Sequence, residues 1–159
     1  MKSLDLIAHP EGGRFREVFR SPHSVTTAQG NNRSALTHIY FSLGAQEVSR
    51  FHRVSADEIW NLYQGARLRL YIWDGTPNPP SCLQLSAADN CYCQVVPAGW
   101  WQAAEPCSED ILVGCSVAPG FEFADFELMQ PDTPAAQLIT VLDPALTRFI
   151  QPSHSGQGA

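Results

Sequence analysis

Between Gly13 and Leu128 the chain is cut into short runs rich in β-branched and aromatic residues, each bounded by Gly, Pro, Asn or Asp. Such side chains pack well on a pleated surface, and the bounding residues take up turn conformations readily. The pattern predicts strands over residues 14–20, 37–43, 59–63, 67–73, 92–96, 111–117 and 121–128. Many strands with few helices between them specify an antiparallel sandwich or barrel, because a doubly wound parallel sheet needs a crossover helix after each strand. Residues 3–8 are expected to form a helical turn before the bend His9-Pro10-Glu11-Gly12-Gly13. Near the other end, Asp132-Thr133-Pro134 supplies a cap residue and a first-turn proline for a helix over 135–142, with a second short helix over 144–150. The proline-rich stretch 75–90 reads as an exposed loop. One domain is expected over 1–150, followed by a polar, disordered tail over 151–159.

Composition narrows the classes of function. At 159 residues with 44% hydrophobic side chains, the chain can bury a sizeable core. No apolar run approaches the length of a membrane span, and residues 1–10 lack the basic start and apolar stretch of a secretion signal. A cytoplasmic protein without a membrane partner is the expectation. The formal charge of -6 argues against nucleic acid, whose binding needs basic surface. Five cysteines, Cys82, Cys91, Cys93, Cys107 and Cys115, show no C-x-x-C spacing, so neither a disulfide framework nor a zinc knuckle is indicated. The basic residues are nine Arg and one Lys, and Arg suits capture of carboxylate or phosphate.

Two segments carry chemistry. The first reads H-x-V-x-x-x-E-x6-G from His52 through Val54 and Glu58 to Gly65; the second reads P-x-G-x-x-Q from Pro97 through Gly99 to Gln102. Their spacings resemble the two motifs of the cupin superfamily, H-x-H-x-x-x-E-x6-G and P-x-G-x-x-H, with Val54 and Gln102 standing where two histidines would be. A catalytic metal normally takes three good ligands from imidazole, carboxylate and thiolate. Here His52 and Glu58 qualify, valine has no lone pair, and a Gln carbonyl is a weak donor. No metal and no other cofactor is expected; a metal, if one bound, would use His52, Glu58 and Gln102, with His38 as a further donor if it faced the same cavity.

The likeness extends further. The blocks His9-Pro10-Glu11-Gly12-Gly13, Phe15-Arg16-Glu17, Ile39-Tyr40-Phe41, His52-Arg53-Val54, Asp57-Glu58-Ile59-Trp60, Val96-Pro97-Ala98-Gly99 and the run from Val117 to Leu128 resemble the DUF985 group, also called cupin-5. That resemblance, over about residues 4–130, implies an all-β fold, a double-stranded β-helix (the cupin jelly-roll barrel) with short N- and C-terminal helices. It also implies a homodimer of largely uncharacterised activity, with Gln at the position of Gln102 throughout. Arg14 departs from that pattern, which commonly has an aromatic residue there; if it lines the cavity mouth it favours a more anionic ligand. Val18 and Phe19 are candidates for the contact between subunits.

In a strand, residues two apart share a face, so Glu58, Trp60 and Leu62 point one way and Ile59, Asn61 and Tyr63 the other. With His52, Glu58 and Gln102 facing inward, the cavity holds a base, an acid and an amide between aromatic walls. His52, Glu58 and Tyr63 are the candidate catalytic residues: His52 abstracts a proton, Glu58 holds its tautomer, and Tyr63 or Tyr40 returns a proton. Tyr40, Trp60, Gln102 and Arg14 are the candidate ligand-binding residues. Arg53 and Asp57 read as a surface ion pair, and a direct bond between His52 and Glu58 is the duller alternative for that pair. Two readings follow. One is a metal-independent isomerase or epimerase acting on a small polar, anionic metabolite such as a sugar or sugar nucleotide; the other is a carrier or sensor that binds without turnover. A dioxygenase with a weakly held metal is the third.

Overall fold

The computed structural model describes residues 3–152. In chain order its strands are β1 (Ile7–Ala8), β2 (Arg14–Arg20), β3 (Ser24–Thr26), β4 (Asn32–Ser34), β5 (Thr37–Leu43), β6 (Ser49–Val54), β7 (Asp57–Gln64), β8 (Arg67–Trp73), β9 (Ser81–Ser86), β10 (Cys93–Val96), β11 (Trp101–Pro106), β12 (Ile111–Ala118) and β13 (Phe126–Leu128). They form a six-stranded sheet in the order β1-β2-β5-β12-β7-β10, a five-stranded sheet in the order β13-β6-β11-β8-β9, and a separate β3-β4 hairpin. Every pairing is antiparallel. This is the antiparallel all-β architecture expected from the strand pattern, in the double-stranded β-helix form that the family resemblance implies, with short helices after most of the strands.

Alternation along the strands explains the layers. In β8, Leu68, Leu70 and Ile72 join Phe41, Trp60 and Val113 in the core of the barrel. Tyr71 and Trp73, on the opposite face of β8, pack with Phe51, Trp101 and Phe149 in a second core. That second core exists because helix α1 (Pro134–Leu142) and the 3-10 helix Pro144–Phe149 cover the outer face of the five-stranded sheet with Ile139, Leu146 and Phe149. Thr133 caps α1 by accepting from Ala136 N, and Pro134 opens it, as the sequence predicts. A strand buried on both faces loses polar alternation, which is why β11 and the second half of β8 lack it, while Arg67-Leu68-Arg69-Leu70 at the start of β8 still alternates.

Four local expectations are corrected. The helical turn over 3–8 is absent; Ile7 and Ala8 instead pair with Phe15 and Arg14 at the edge of the six-stranded sheet. The loop over 75–90 contains β9, whose six residues pair with β8 once Pro77, Pro79 and Pro80 have passed. The strand over 121–128 is broken by a 3-10 turn, Phe123–Asp125, and only Phe126–Leu128 pairs with β6. Arg53 bonds to Glu127 at 2.8 Å and lies over the Trp101 ring, while Asp57 accepts from Ala98 N, so these two do not form an ion pair. The expected tail falls largely in 153–159, outside the described residues. Among the described residues, no helix is long and apolar enough to cross a membrane.

Candidate functional site

The barrel opens at one end into a cavity of about 200 Å³. On its six-stranded wall, Ile39, Cys115 and Trp60 stand in one row across β5, β12 and β7, with Val117 and Glu58 one step nearer the opening. On the five-stranded wall, His52 and Val54 of β6 face inward, and Gln102 of β11 is the direct cross-strand partner of His52. The bend before β2 adds His9 and Glu11. That bend depends on glycine: Gly12 and Gly13 have φ of 110° and 69°, and a Cβ on Gly12 would sit 2.2 Å from the Val48 carbonyl oxygen. Arg50 N donates to Glu11 O at 2.8 Å, fixing the bend against β6 and pressing the Glu11 side chain inward.

Hydrogen bonds define the protonation of the deep residues. His52 Nδ1 lies 2.7 Å from the Arg50 carbonyl, which only accepts, so Nδ1 carries the proton. Burial pushes the His52 imidazole down to about 4, leaving it neutral near pH 7 with a bare Nε2. Glu11 Oε2 is 3.0 Å from that nitrogen. Burial first, then the nearby Glu58, raise the Glu11 carboxyl well above its ordinary range, so Glu11 is held protonated beside the bare His52 Nε2. Its other oxygen accepts from Ser49 Oγ at 2.8 Å. His9 is held neutral in the same way: burial, with His52 adding to it, lowers it to about 3, and its Nδ1 accepts from Glu11 N at 3.2 Å.

Glu58 is arranged differently. The Trp60 indole N–H can only donate, and it reaches Gln102 Oε1 at 2.7 Å; this sets the amide so that Gln102 Nε2 donates to Glu58 Oε1, also at 2.7 Å. Glu58 is 7% exposed. Burial raises it to about 7, against which the Gln102 bond works. Its Oε2 has no protein partner, yet among the described residues the sole sealed, unpartnered side-chain polar atom is Gln151 Oε1. The Oε2 atom is therefore open to the cavity. Near neutral pH Glu58 is poised between acid and base. The Cys115 thiol, which also lines the cavity, is raised well above its usual range by burial and by the two carboxyls, so it stays protonated and is no nucleophile.

At the mouth stand Arg20, Glu17 and Glu122, each more than a third exposed. Arg20 bonds both Glu17 oxygens, at 3.3 and 2.7 Å, Glu122 Oε1 at 3.1 Å and the Phe121 carbonyl at 3.0 Å. Phe15, Phe123 and Phe126 close the sides, Phe126 stacking on the His52 ring at 5.5 Å.

Of the residues singled out from sequence, the structure brings His52, Glu58 and Trp60 to the cavity and puts Gln102 behind Glu58 as its support. It does not bring Tyr63, Tyr40 or Arg14 there. Tyr63 is 47% exposed on the outer face of the six-stranded sheet. There its hydroxyl meets His38 Nε2 at 2.8 Å, and His38 Nδ1 meets Ser116 Oγ at 2.7 Å. Alternation is the reason: Ile39 and Phe41 face in, so His38 and Tyr40 face out. Arg14 is exposed beside the inward Phe15 for the same reason. His52 and Glu58 do not bond to one another; Arg50 O, not Glu58, sets the His52 tautomer. The sequence reading missed Glu11, His9 and Ser49 inside and Arg20, Glu17 and Glu122 at the mouth. A signal for the first two was present, since an acid held directly before two glycines marks a bend whose backbone approaches another strand closely.

The barrel's usual occupant in this fold, a metal ion, does not suit these donors. His52 Nε2 has the Glu11 carboxyl 3.0 Å in front of it, Gln102 Oε1 is committed to Trp60, Val54 offers no lone pair, and His38 lies on the far side of the sheet. Glu58 alone remains, and among the described residues no group of three His, Cys, Asp or Glu side chains is placed to hold an ion.

Comparison with known proteins agrees with this architecture. The family model described as Cupin superfamily (DUF985) matches residues 1–129, and the chain belongs to that family. It is similar to a solved protein from Shewanella oneidensis, 31% identical with a TM-score of 0.77, covering 94% of this chain and 93% of that one. It is equally close in structure to a hypothetical protein from Leishmania major, 28% identical, TM-score 0.77, covering 92% of each chain. A cupin 2 conserved barrel domain protein from Rhodopseudomonas palustris, 12% identical with a TM-score of 0.59 over 89% of this chain and 81% of that one, shares the fold alone. No curated protein matches the chain.

Proposed function

We propose that the cavity carries out metal-independent proton transfer on a small polar molecule, as an isomerase or epimerase does. The observation that carries this reading is Glu58, a buried carboxyl raised to about 7 with one oxygen open to the cavity. Near it, the protonated Glu11 carboxyl, held by Ser49 and 3.0 Å from His52 Nε2, is a second donor. In the ionised form Glu58 takes a proton from a carbon beside a carbonyl; the C–H electron pair moves into the new C=C bond and the carbonyl oxygen accepts the Glu11 proton. Return of the Glu58 proton to the neighbouring carbon, with the hydroxyl proton of the first carbon passing to Glu11, gives the isomer; epimerisation instead takes delivery of the Glu11 proton to the opposite face of the first carbon. Two titratable groups held in different states by one apolar cavity are what such chemistry requires. The assignment of Tyr63 or Tyr40 as the returning acid gives way to Glu11, because both tyrosines lie on the outer face.

The test is solvent exchange. A panel of ketoses, small ketones and amino sugars is incubated with the protein in deuterium oxide and followed by proton NMR. Wash-in at the carbon beside the carbonyl is expected for one class, and Glu58→Gln slows it at least about 100-fold, the usual contribution of a positioned acid or base. Equal exchange with both proteins refutes the reading. A carrier without turnover is the second reading; its support is that Glu11 and His52 are already held by Ser49 and by the Arg50 carbonyl.

A homodimer fits the outer face of the six-stranded sheet, where Ile59, Tyr63 and Val95 are exposed and Ile59 pairs with Val95 across β7 and β10. Phe19, marked from sequence as a subunit contact, is also exposed.

A further inference from the structure

The cavity is built for positive charge. Among the described residues its lining holds the carboxyls of Glu17, Glu58 and Glu122, and Glu11 in its uncharged, protonated form, against one guanidinium, Arg20. His9 and His52 add no charge, since burial keeps both neutral. The Arg20 guanidinium is spent on Glu17, Glu122 and the Phe121 carbonyl, so an arriving anion finds no free cation. It would instead pass two mouth carboxylates. A diphosphate or carboxylate substituent is thus opposed, whatever the Arg content of the whole chain suggests. Two independent features favour the opposite sign. One is the Oε2 atom of Glu58, a residue more than nine-tenths buried; this oxygen has no partner among the described residues and is open to the cavity. The other is the aromatic lining of the same cavity, Phe15, Phe41, Trp60, Phe123 and Phe126, since aromatic rings attract cations that shed water easily.

We propose that this cavity takes a ligand whose buried end is a small organic cation, an ammonium group held between the aromatic rings and Glu58 Oε2, and that it rejects anionic counterparts. The inference rests on the same cavity as the proton-transfer reading and supplies its substrate class, but it requires no turnover. An alkylated ammonium fits better than a bare one, because its charge is spread over methyl groups and loses less on leaving water. Glu17 and Glu122 then act at the mouth as an entry filter, while Glu58 forms the contact at depth.

Three probes of nearly equal shape and different charge test the proposal: choline, the neutral 3,3-dimethylbutan-1-ol and the anionic 3,3-dimethylbutanoate. Binding to the full chain is measured at pH 8 by calorimetry, with quenching of tryptophan fluorescence as a second readout. Choline should bind about tenfold more tightly than the alcohol, and the carboxylate should bind more weakly than both. Glu58→Gln, which keeps size and the Gln102 contact, should bring choline down to the alcohol's affinity and leave the alcohol within about twofold. Tighter binding of the alcohol or carboxylate, no binding of any probe, or a Glu58→Gln protein that keeps its preference for choline would each overturn the proposal; the first two need no variant. Cation preference without solvent exchange would remove the catalytic reading and leave this one standing, and exchange without cation preference would do the reverse.

Discussion

Glu58 carries a measurable stability cost as well as the chemistry. Its carboxyl is raised from 4.5 to about 7 in the folded protein, so stability is fully present below pH 4.5 and is lost as pH rises through 7. Glu58→Gln removes that dependence. The variant is expected to be about 3 kcal/mol more stable than the parent at pH 8 and no more stable at pH 4, measured by denaturant unfolding. Tyr63 supplies a second test. A Cβ on Gly114 would sit 2.3 Å from the Tyr63 ring, so Gly114→Ala should push the ring off its strand and cost about 1 kcal/mol. Adding Tyr63→Ala should recover part of that loss in a double-mutant cycle, and solvent exchange should not respond, because this pair lies outside the barrel. At this scale the sequence was half legible. Parity along β7 already separates Tyr63 from Glu58 and Trp60. Nothing in one chain's spacing says that Glu11, more than forty positions from Glu58, arrives in the same cavity.

Among the elements, the bend at 9–13 has more influence than its length suggests. Gly12→Ala forces an unfavourable positive φ and drives a Cβ into the Val48 carbonyl. A loss of at least about 2 kcal/mol is expected in thermal or denaturant unfolding, with probe binding impaired in whatever fraction remains folded. Helix α1 behaves in the opposite way. Thr133→Ala removes its cap and should cost about 1 kcal/mol; Ile139→Ala, which empties part of the second core, should cost about 2 to 5 kcal/mol. Both should leave ligand affinity unchanged, since the helix covers the face of the five-stranded sheet turned away from the cavity. The α1 signal was local, a cap, a proline and an apolar periodicity, and was read correctly. The break at Phe123–Asp125 was not, because alternation across Phe121, Glu122 and Phe123 resembles a strand until the cavity mouth claims all three side chains.

For the molecule as a whole, opposing titrations should bracket stability. Glu58 and Glu11 are raised, so their contributions fade as pH climbs above 4.5. His52 and His9 are lowered to about 4 and about 3, so theirs fade as pH drops below 6.5. A plateau is expected between about pH 4.5 and 6.5, with losses on either side; unfolding free energies across pH 3 to 9 measure it, and a maximum at pH 8 contradicts the assigned protonation states. Sedimentation tests the pairing of chains, for which a mass near twice 17.5 kDa is expected.

What the amino-acid order determined by itself was part of the strand set (β2, β5, β7, β8, β10 and β12) and an antiparallel sandwich or barrel, because periodicity and turn residues act over a few positions, while the motif blocks carried the family. The spacing of His52, Glu58 and Gln102 likewise announced a depleted donor set. Which groups share the cavity, and in what charge state, was decided by the tertiary structure alone. Gln102 is a support and not a wall because Trp60 reaches it across the barrel. Glu11 is an acid because His52 and Glu58 close around it in a dry space, and the sign of the ligand follows from carboxyls contributed by β2, β7 and the turn after β12. Solvent exclusion and through-space charge belong to the folded surface, and no stretch of chain encodes them alone.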